Sequence, residues 1–351
     1  MFAHVNPTPE ISSDRQSRTV STDNRRGQAA RTHRYRTALY LVAWFAFLIA
    51  AVALAARFIP VTNHALLALA ASSPYLMVGA GVSAIILVLM RRWWSASAAL
   101  ILTAAAVFVE LPMFVGSEGA QENTVPVRVL TANLREGTAD PEALLAVARD
   151  QADLFVVVEL TPELASRLTQ EGLDSRFPYR VLDAQPYAAG VAIWSRYPIV
   201  RSSRIRGYQL GVASAAIRAP QVSDEVVVLA AHLSGPWPQP IDGWRQDIAE
   251  FPDTLKDIAA DAGKGAAIVA GDFNASMDMQ PFRRLLENGF RDAAAQSGAG
   301  FTPTYPADSA APPLIGIDRI LTFNSSASDV QTVRIPGSDH LGLWAIVHIP
   351  R

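Results

Sequence analysis

Residues 267–274 read Ala267-Ile268-Val269-Ala270-Gly271-Asp272-Phe273-Asn274. Four apolar residues in a row, two of them β-branched, predict a strand covered on both faces. The run stops at a glycine, a carboxylate and an amide. Working outward, the same design recurs. Val226–Ala231 ends in His232, Leu154–Val158 in Glu159, and Val127–Ala132 in Asn133. Asp318–Phe323 begins with its acid, and Ser338-Asp339-His340 precedes the run Leu343–Ile349. Val191–Trp194 is one more apolar strand. Helix signals lie between them. Asp140-Pro141-Glu142 and Thr161-Pro162-Glu163 each read as an N-cap followed by proline at the first helical position. Ile241 to Asp261 is amphipathic, and Gln280-Pro281 opens a further helix. The alternation predicts an α/β layered sandwich.

Each polar strand end has a bland explanation taken alone. Asn133 suits a turn, Glu159 a helix cap, Asp272 an Asx-turn, and His232 a satisfied core histidine. Six such ends on greasy strands are better explained by a rigid scaffold presenting one polar site.

The amino-terminal third has another character. The whole chain of 351 residues is 50% hydrophobic and only 18% charged, with a mean hydropathy of +0.18. That excludes a disordered or fibrous chain. The excess sits in three apolar runs, Ala38–Ile59, about Ala65–Met90 and Ala96–Val115. Each has the roughly 20 residues needed to span a bilayer. Ser72, Ser73 and Pro74 mark the second run as kinked, or as entering the membrane only near Pro74. Glu110 falls at the interfacial end of the third. Residues 1–37 carry seven arginines against three acidic residues and show no apolar periodicity, which reads as a disordered basic tail. Arg91 and Arg92 lie between runs two and three. Basic flanks belong on the cytoplasmic side. The expectation is a multi-pass plasma-membrane protein with its amino terminus inside, three transmembrane helices over 38–115, a linker at 116–126, and an extracytoplasmic globular domain over 127–351.

The ordered motifs TANL (131–134), VVVE (156–159), SRYP (195–198), AHL (231–233), GDFN (271–274), IDRI (317–320) and SDH (338–340) resemble the endonuclease/exonuclease/phosphatase superfamily, from Val127 to Pro350. The resemblance implies two packed sheets flanked by helices and hydrolysis of a phosphate ester. It implies that Glu159 binds the catalytic divalent metal, with Asp339 at or near it and Asn133 beside metal and phosphate. Asp272 and Asn274 match the pair that orients the attacking water and holds a phosphate oxygen. Asp318 matches the acid behind His340, and His232 the histidine of the nuclease and phosphatase branches. The chain departs from the family pattern at Val158, Arg319 and Leu341, the last two being positions of substrate contact.

The donor set is oxygen-rich, and the chain has no cysteine. Hard ligands favour Mg²⁺ or Mn²⁺ over zinc. The acid–imidazole pair fixes a tautomer and stabilises imidazolium. From Ser117 onward there are 20 basic and 28 acidic residues, with only two lysines, Lys256 and Lys264. Nucleases draw affinity from cations on phosphates, so this balance disfavours nucleic acid and favours a lipid-linked or small phosphoester at the bilayer. An extracytoplasmic nuclease is the alternative, and a catalytically inactive binding domain is a third reading. The loop Gly235–Pro240, with Trp244, reads either as a rigid packed loop or as an apolar rim at the interface.

Overall fold

In this computed structural model, which describes residues 13–116 and 123–351, the first apolar run belongs to one long helix, α1 (Ser13–Ala56). The reading of residues 1–37 as disordered therefore differs from the structure from Ser13 onward; residues 1–12 lie outside the described part. Once a lipid-length apolar segment has paid for nucleation, each further helical residue adds a hydrogen bond at little cost. The third run is α4 (Trp93–Glu110), followed by a single turn, α5 (Pro112–Val115). The second is a broken pair, α2 (His64–Ala71) and α3 (Ser73–Leu89). Ser72 turns its hydroxyl onto the Ala68 carbonyl at 2.6 Å, and Pro74 brings no N–H to continue the ladder. Arg31–Ala56 and Trp93–Glu110 are each long and apolar enough to cross a membrane, and the bent pair counts as a third span only if taken as one.

The chain divides into two compact units, Met1–Val52 with Tyr75–Ala105, and Ala53–Pro74 with Ala106–Arg351. In the first, small residues let helices close up. Ala43, Ala84, Leu87, Ala96 and Ala99 form its core, and a Cβ on Gly79 would come within 2.9 Å of the Ala46 carbonyl oxygen. Phe45, Leu48, Ile85 and Ile101 point outward and are exposed.

The second unit carries two six-stranded sheets. Its strands are β1 (Thr124–Asn133), β2 (Leu154–Val158), β3 (Tyr179–Asp183), β4 (Val191–Ser195), β5 (Ile199–Arg204), β6 (Val212–Ile217), β7 (Val226–His232), β8 (Ala267–Asp272), β9 (Arg291–Asp292), β10 (Asp318–Phe323), β11 (Ser326–Arg334) and β12 (Leu341–Pro350). One sheet has the order β11-β12-β1-β2-β4-β3, the other β5-β6-β7-β8-β10-β9. They pack face to face over Val129, Val156, Ile193, Val228, Ala230, Ile268 and Ile320. The alternate residues of the same strands are buried outward. Leu130, Phe155 and Trp194 meet Leu144 of α6 (Pro141–Gln151) and Leu164 of α7 (Pro162–Gln170). Leu229, Val269 and Leu321 meet Trp244, Ile248, Phe251 and Leu255 of a 22-residue helix, α8 (Ile241–Ala262). Burial on both faces explains why the central strands read as unbroken apolar runs. The N-caps form as expected: Asp140 accepts from the Ala143 N–H at 2.9 Å and Thr161 from Leu164 at 3.3 Å.

Two features of this unit depart from the sequence reading. Trp244 is no rim residue: it is fully buried in the stripe that α8 turns to the sheet. And the connector after α1 belongs to the core. Val61, Leu67, Ala70 and Ala71 join the cluster under α8. Arg57, only 3% exposed, pairs with Glu110 at 2.8 Å and with Asp278 on the loop after Asn274. Burial pushes the Asp278 carboxyl up, and Arg57 opposes that shift. Met113 is buried too, and its carbonyl accepts from the Gly300 N–H at 2.7 Å. Gly116 opens the expected linker, residues 117–122 of which lie outside the described part, and β1 starts at Thr124.

Candidate functional site

Strand register assembles the site. In the second sheet β7 runs parallel to β8 with His232 opposite Asp272, and β10 runs antiparallel to β8 with Asp318 opposite Asp272. His232, Asp272 and Asp318 therefore stand in one row across three neighbouring strands. In the first sheet β1 runs parallel to β2 with Asn133 opposite Val158, which sets Asn133 beside Glu159. His340 comes just before β12, the other neighbour of β1. All the strand ends gather at one edge of the sandwich.

A hydrogen-bonded chain connects them across the two sheets. The Asn133 amide nitrogen donates to Glu159 Oε1 at 2.9 Å and to Asp272 Oδ2 at 3.1 Å. Its oxygen accepts from the Arg135 backbone N–H at 2.8 Å. That backbone donor fixes which way the amide faces, so Asn133 turns its nitrogen, not its oxygen, toward the carboxylates. Glu159 Oε2 accepts from the Glu136 N–H at 2.7 Å. Asp272 Oδ1 accepts from the Asn274 N–H at 2.8 Å, and the Asn274 side chain donates to the Leu233 carbonyl at 2.9 Å.

The two histidines differ. His340 Nδ1 lies 2.8 Å from Asp318 Oδ2, and its Nε2 lies 3.9 Å from Asp272 Oδ2. Burial by itself would lower the imidazole pKa. The Asp318 charge and hydrogen bond, with Asp272 and Asp339, overcome it and push the group up to about 10. The side chain is an imidazolium at neutral pH. His232 donates Nδ1–H to the Ala188 carbonyl at 3.0 Å, leaving Nε2 at 3.8 Å from Glu159 Oε1 and 3.9 Å from Asp272 Oδ2. Burial pushes the Asp272 carboxyl up, and Asp318 adds to it; His340 and His232 work the other way.

Asp339 stands apart from this chain. Its carboxylate is a quarter exposed and lies 3.9 Å from Arg135, which also pairs with Asp308 at 3.0 Å. The backbone around the site is strained. Arg135, Glu136, Glu159 and Asn274 all have φ between 47° and 59°. A left-handed non-glycine residue costs about 1–2 kcal/mol, and such strain collects at functional sites.

The structure thus brings Asn133, Glu159, His232, Asp272, Asn274, Asp318 and His340 together, with Asp339 at the margin. It adds groups that sequence reading missed. Ser338 Oγ donates to the Asn133 carbonyl at 2.8 Å and accepts from the His340 N–H at 3.0 Å. Thr304 Oγ1 accepts from the N–H groups of Ile317 and Asp318. The Tyr305 ring lies 4.9 Å from His340. The signal for the last two was the proline-containing segment Thr302–Pro306, ten residues ahead of IDRI.

For a divalent cation, Asp272, Asp318 and His340 bring ligand atoms within 4.8 Å of one another. His340 Nδ1 already occupies one Asp318 oxygen, and Asp318 is wholly buried. Glu159 offers a better seat: a partly exposed carboxylate, oriented from behind by an amide and a backbone N–H. Its hard oxygens fit Mg²⁺ or Mn²⁺.

Comparison with known proteins agrees with this architecture. A search of curated proteins finds no significant match. Among solved structures, a humanized D. rerio TDP2 carrying 14 mutations superposes with a TM-score of 0.53 at 16% identity, covering 63% of this chain and 98% of its own. D. rerio TDP2 complexed with single-strand DNA product gives 0.52 at 16% identity, covering 63% and 98%. An endonuclease/exonuclease/phosphatase from Beutenbergia cavernae gives 0.51 at 19%, covering 64% and 72%. At such identities these likenesses show the fold. The family model matches residues 130–340, a span that runs from β1 to His340 and so contains every residue of the site. By that match the chain belongs to the endonuclease/exonuclease/phosphatase family, whose members are generally hydrolases of phosphoester bonds.

Proposed function

We propose that this chain is a membrane-anchored, divalent-metal-dependent phosphoesterase acting on a lipid-linked or small phosphoester. The observation that carries the reading is the row Asp318–His340–Asp272–Asn133–Glu159 across both sheets, hydrogen-bonded at every step except the 3.9 Å ion-pair approach of His340 to Asp272. A phosphate ester is anionic and repels nucleophiles, so hydrolysis needs charge neutralisation and an aligned water. The His340 imidazolium, held by Asp318, clamps the phosphoryl oxygens. The buried Asp272 carboxylate, whose pKa burial has raised, accepts the proton of the attacking water. Asn133 keeps Asp272 and Glu159 apart and aligned, and Asn274 and His232 hold the remaining phosphate oxygens. Glu159 would hold Mg²⁺ or Mn²⁺, which would supply positive charge to the phosphoryl group.

The two apolar spans and the bent pair support anchoring in a bilayer. The arginine asymmetry supports an extracytoplasmic catalytic unit. A carboxy-terminal reporter active only outside the cytoplasm is the expected result, and one active only in the cytoplasm rejects the orientation.

The deciding experiment uses the full chain in lipid nanodiscs. Phospholipids, lipid-linked phosphates, small phosphomonoesters, DNA and RNA are offered with Mg²⁺, then after EDTA. Hydrolysis of a lipid or small ester, abolished by EDTA and restored by Mg²⁺ or Mn²⁺, is expected. Turnover that survives full chelation rejects the role of Glu159, and exclusive cleavage of DNA or RNA replaces this reading with the nuclease one.

A further inference from the structure

Four tryptophans lie after residue 190, and two of them, Trp194 and Trp244, are fully buried. Trp237 is 69% exposed. It sits in Ser234-Gly235-Pro236-Trp237-Pro238-Gln239-Pro240, a segment with three prolines and no charge. Proline fixes φ, so this arm has little conformational entropy to lose on contact. Its root is part of the site. The Leu233 carbonyl accepts from the Asn274 side chain, and Ser234 is tied to buried Asp247 through its N–H at 2.9 Å and its hydroxyl at 2.5 Å. Its far side is pinned by His64. The Nε2 of that residue lies 2.9 Å from the Pro236 carbonyl oxygen and 3.3 Å from that of Gln239. The His64 ring meets Trp237 edge to face at 4.9 Å.

His64 opens α2, an eight-residue helix rising about 12 Å. One residue beyond its end the apolar helix α3 begins, and on the other side the chain leaves α1 at Ala56. The arm is therefore fastened to a connector that returns to the apolar helices at both ends. Indole favours the headgroup layer, where its ring and its N–H are both accommodated. An uncharged arm gives up little hydration on entering that layer.

We propose that Ser234–Pro240 is a bilayer-contacting arm of the active site, with Trp237 at its tip and His64 as the residue that positions it, so that the site takes phosphoesters presented at the membrane surface. This rests on the anchored, lipid-directed reading above and names how the substrate is delivered.

The chain has no cysteine, so Trp237→Cys creates a single labelling site in the full-length protein. An environment-sensitive fluorophore is attached there and, as reference, at Ser202→Cys on exposed β5. Both proteins are reconstituted in phosphatidylcholine vesicles with and without a headgroup-level nitroxide lipid. Blue-shifted emission at position 237, quenched several-fold more strongly than at 202, is expected. Adding His64→Ala should reduce the quenching at 237 and leave that at 202 unchanged. Water-like, unquenched emission at 237 overturns the proposal, as does a label that responds to single-stranded DNA instead of lipid. Quenching indifferent to His64→Ala overturns the positioning role. The label reports lipid contact whatever the chain hydrolyses, so failure here leaves the hydrolysis panel to judge the activity separately.

Discussion

Replacing His340 with alanine should lower turnover of the phosphoester substrate by about 10²–10³-fold, the usual worth of one preorganised donor to developing charge. The residue lies in the loop before β12 and outside the apolar clusters, so the fold should survive. Asp318→Asn should cost less, since the imidazole stays. It loses its charge partner, however, and the substitution has a second penalty. Asp318 Oδ1 is buried with no hydrogen-bond donor. If the new amide keeps its oxygen toward His340 Nδ1, its NH₂ is left in that unsatisfied position. The two losses should be far from additive because the residues act as one unit. The double variant should be little worse than His340→Ala, and rates that multiply would show independent roles. The same pair has a signature in stability. The folded pKa of His340, about 10, lies above the roughly 6.5 of an unfolded histidine. Its contribution is therefore complete below 6.5, declines as pH rises, and is gone above about 10. Unfolding curves of the wild type should weaken across that window. Those of His340→Ala should lack this component, and a variant that keeps it in full would show that the titration belongs elsewhere.

Gly271→Ala should be the most damaging substitution for the fold. Gly271 has φ +145°, and a Cβ there would lie 2.0 Å from the Ala231 carbonyl oxygen on β7. Neither obstacle can move: the clash is with backbone in the middle of the sheet, and the glycine immediately precedes Asp272. A loss of about 4 kcal/mol or more is expected, comparable to the whole stability of a marginal domain. Gly207→Ala is the control. That residue also has a positive φ, +106°, but nothing lies within 4 Å of its Cβ, so only the conformational penalty of about 1–2 kcal/mol applies. Thermal unfolding distinguishes them. If Gly271→Ala melts beside the wild type, the close approach of β8 to β7 is wrong.

The contrast between what could and could not be read in the sequence has physical causes. The central strands were legible because both faces are buried. Leu154–Val158 and Asp318–Phe323 have the expected bounds to the residue. The strands that escaped notice are largely edges. β3, β5 and β11 are exposed along much of their length, and their sequences carry the arginines, serines and aspartates that edges need. β6 was hidden by its alanines, poor strand formers that only packing holds extended. In the site, the residues acting through side chains at strand ends stood out. The Ala188 carbonyl and the Glu136 N–H could not, because a main-chain group carries no residue identity. Leu67, Ala70 and Ala71 misled for another reason: composition is the same whether a segment is buried in lipid or in protein.

That last confusion has a consequence for how the protein is made. A sheet of the α/β unit is sealed by residues on the amino-terminal side of α3, so that unit is interrupted in sequence by the apolar helices α3 and α4. Its core cannot close until Val61–Ala71, which precedes α3 in the chain, has reached a sheet that follows α4. A chain in which that segment is displaced shows an open hydrophobic seam, and a protease that severs the connector leaves an opened core rather than a freed, intact unit.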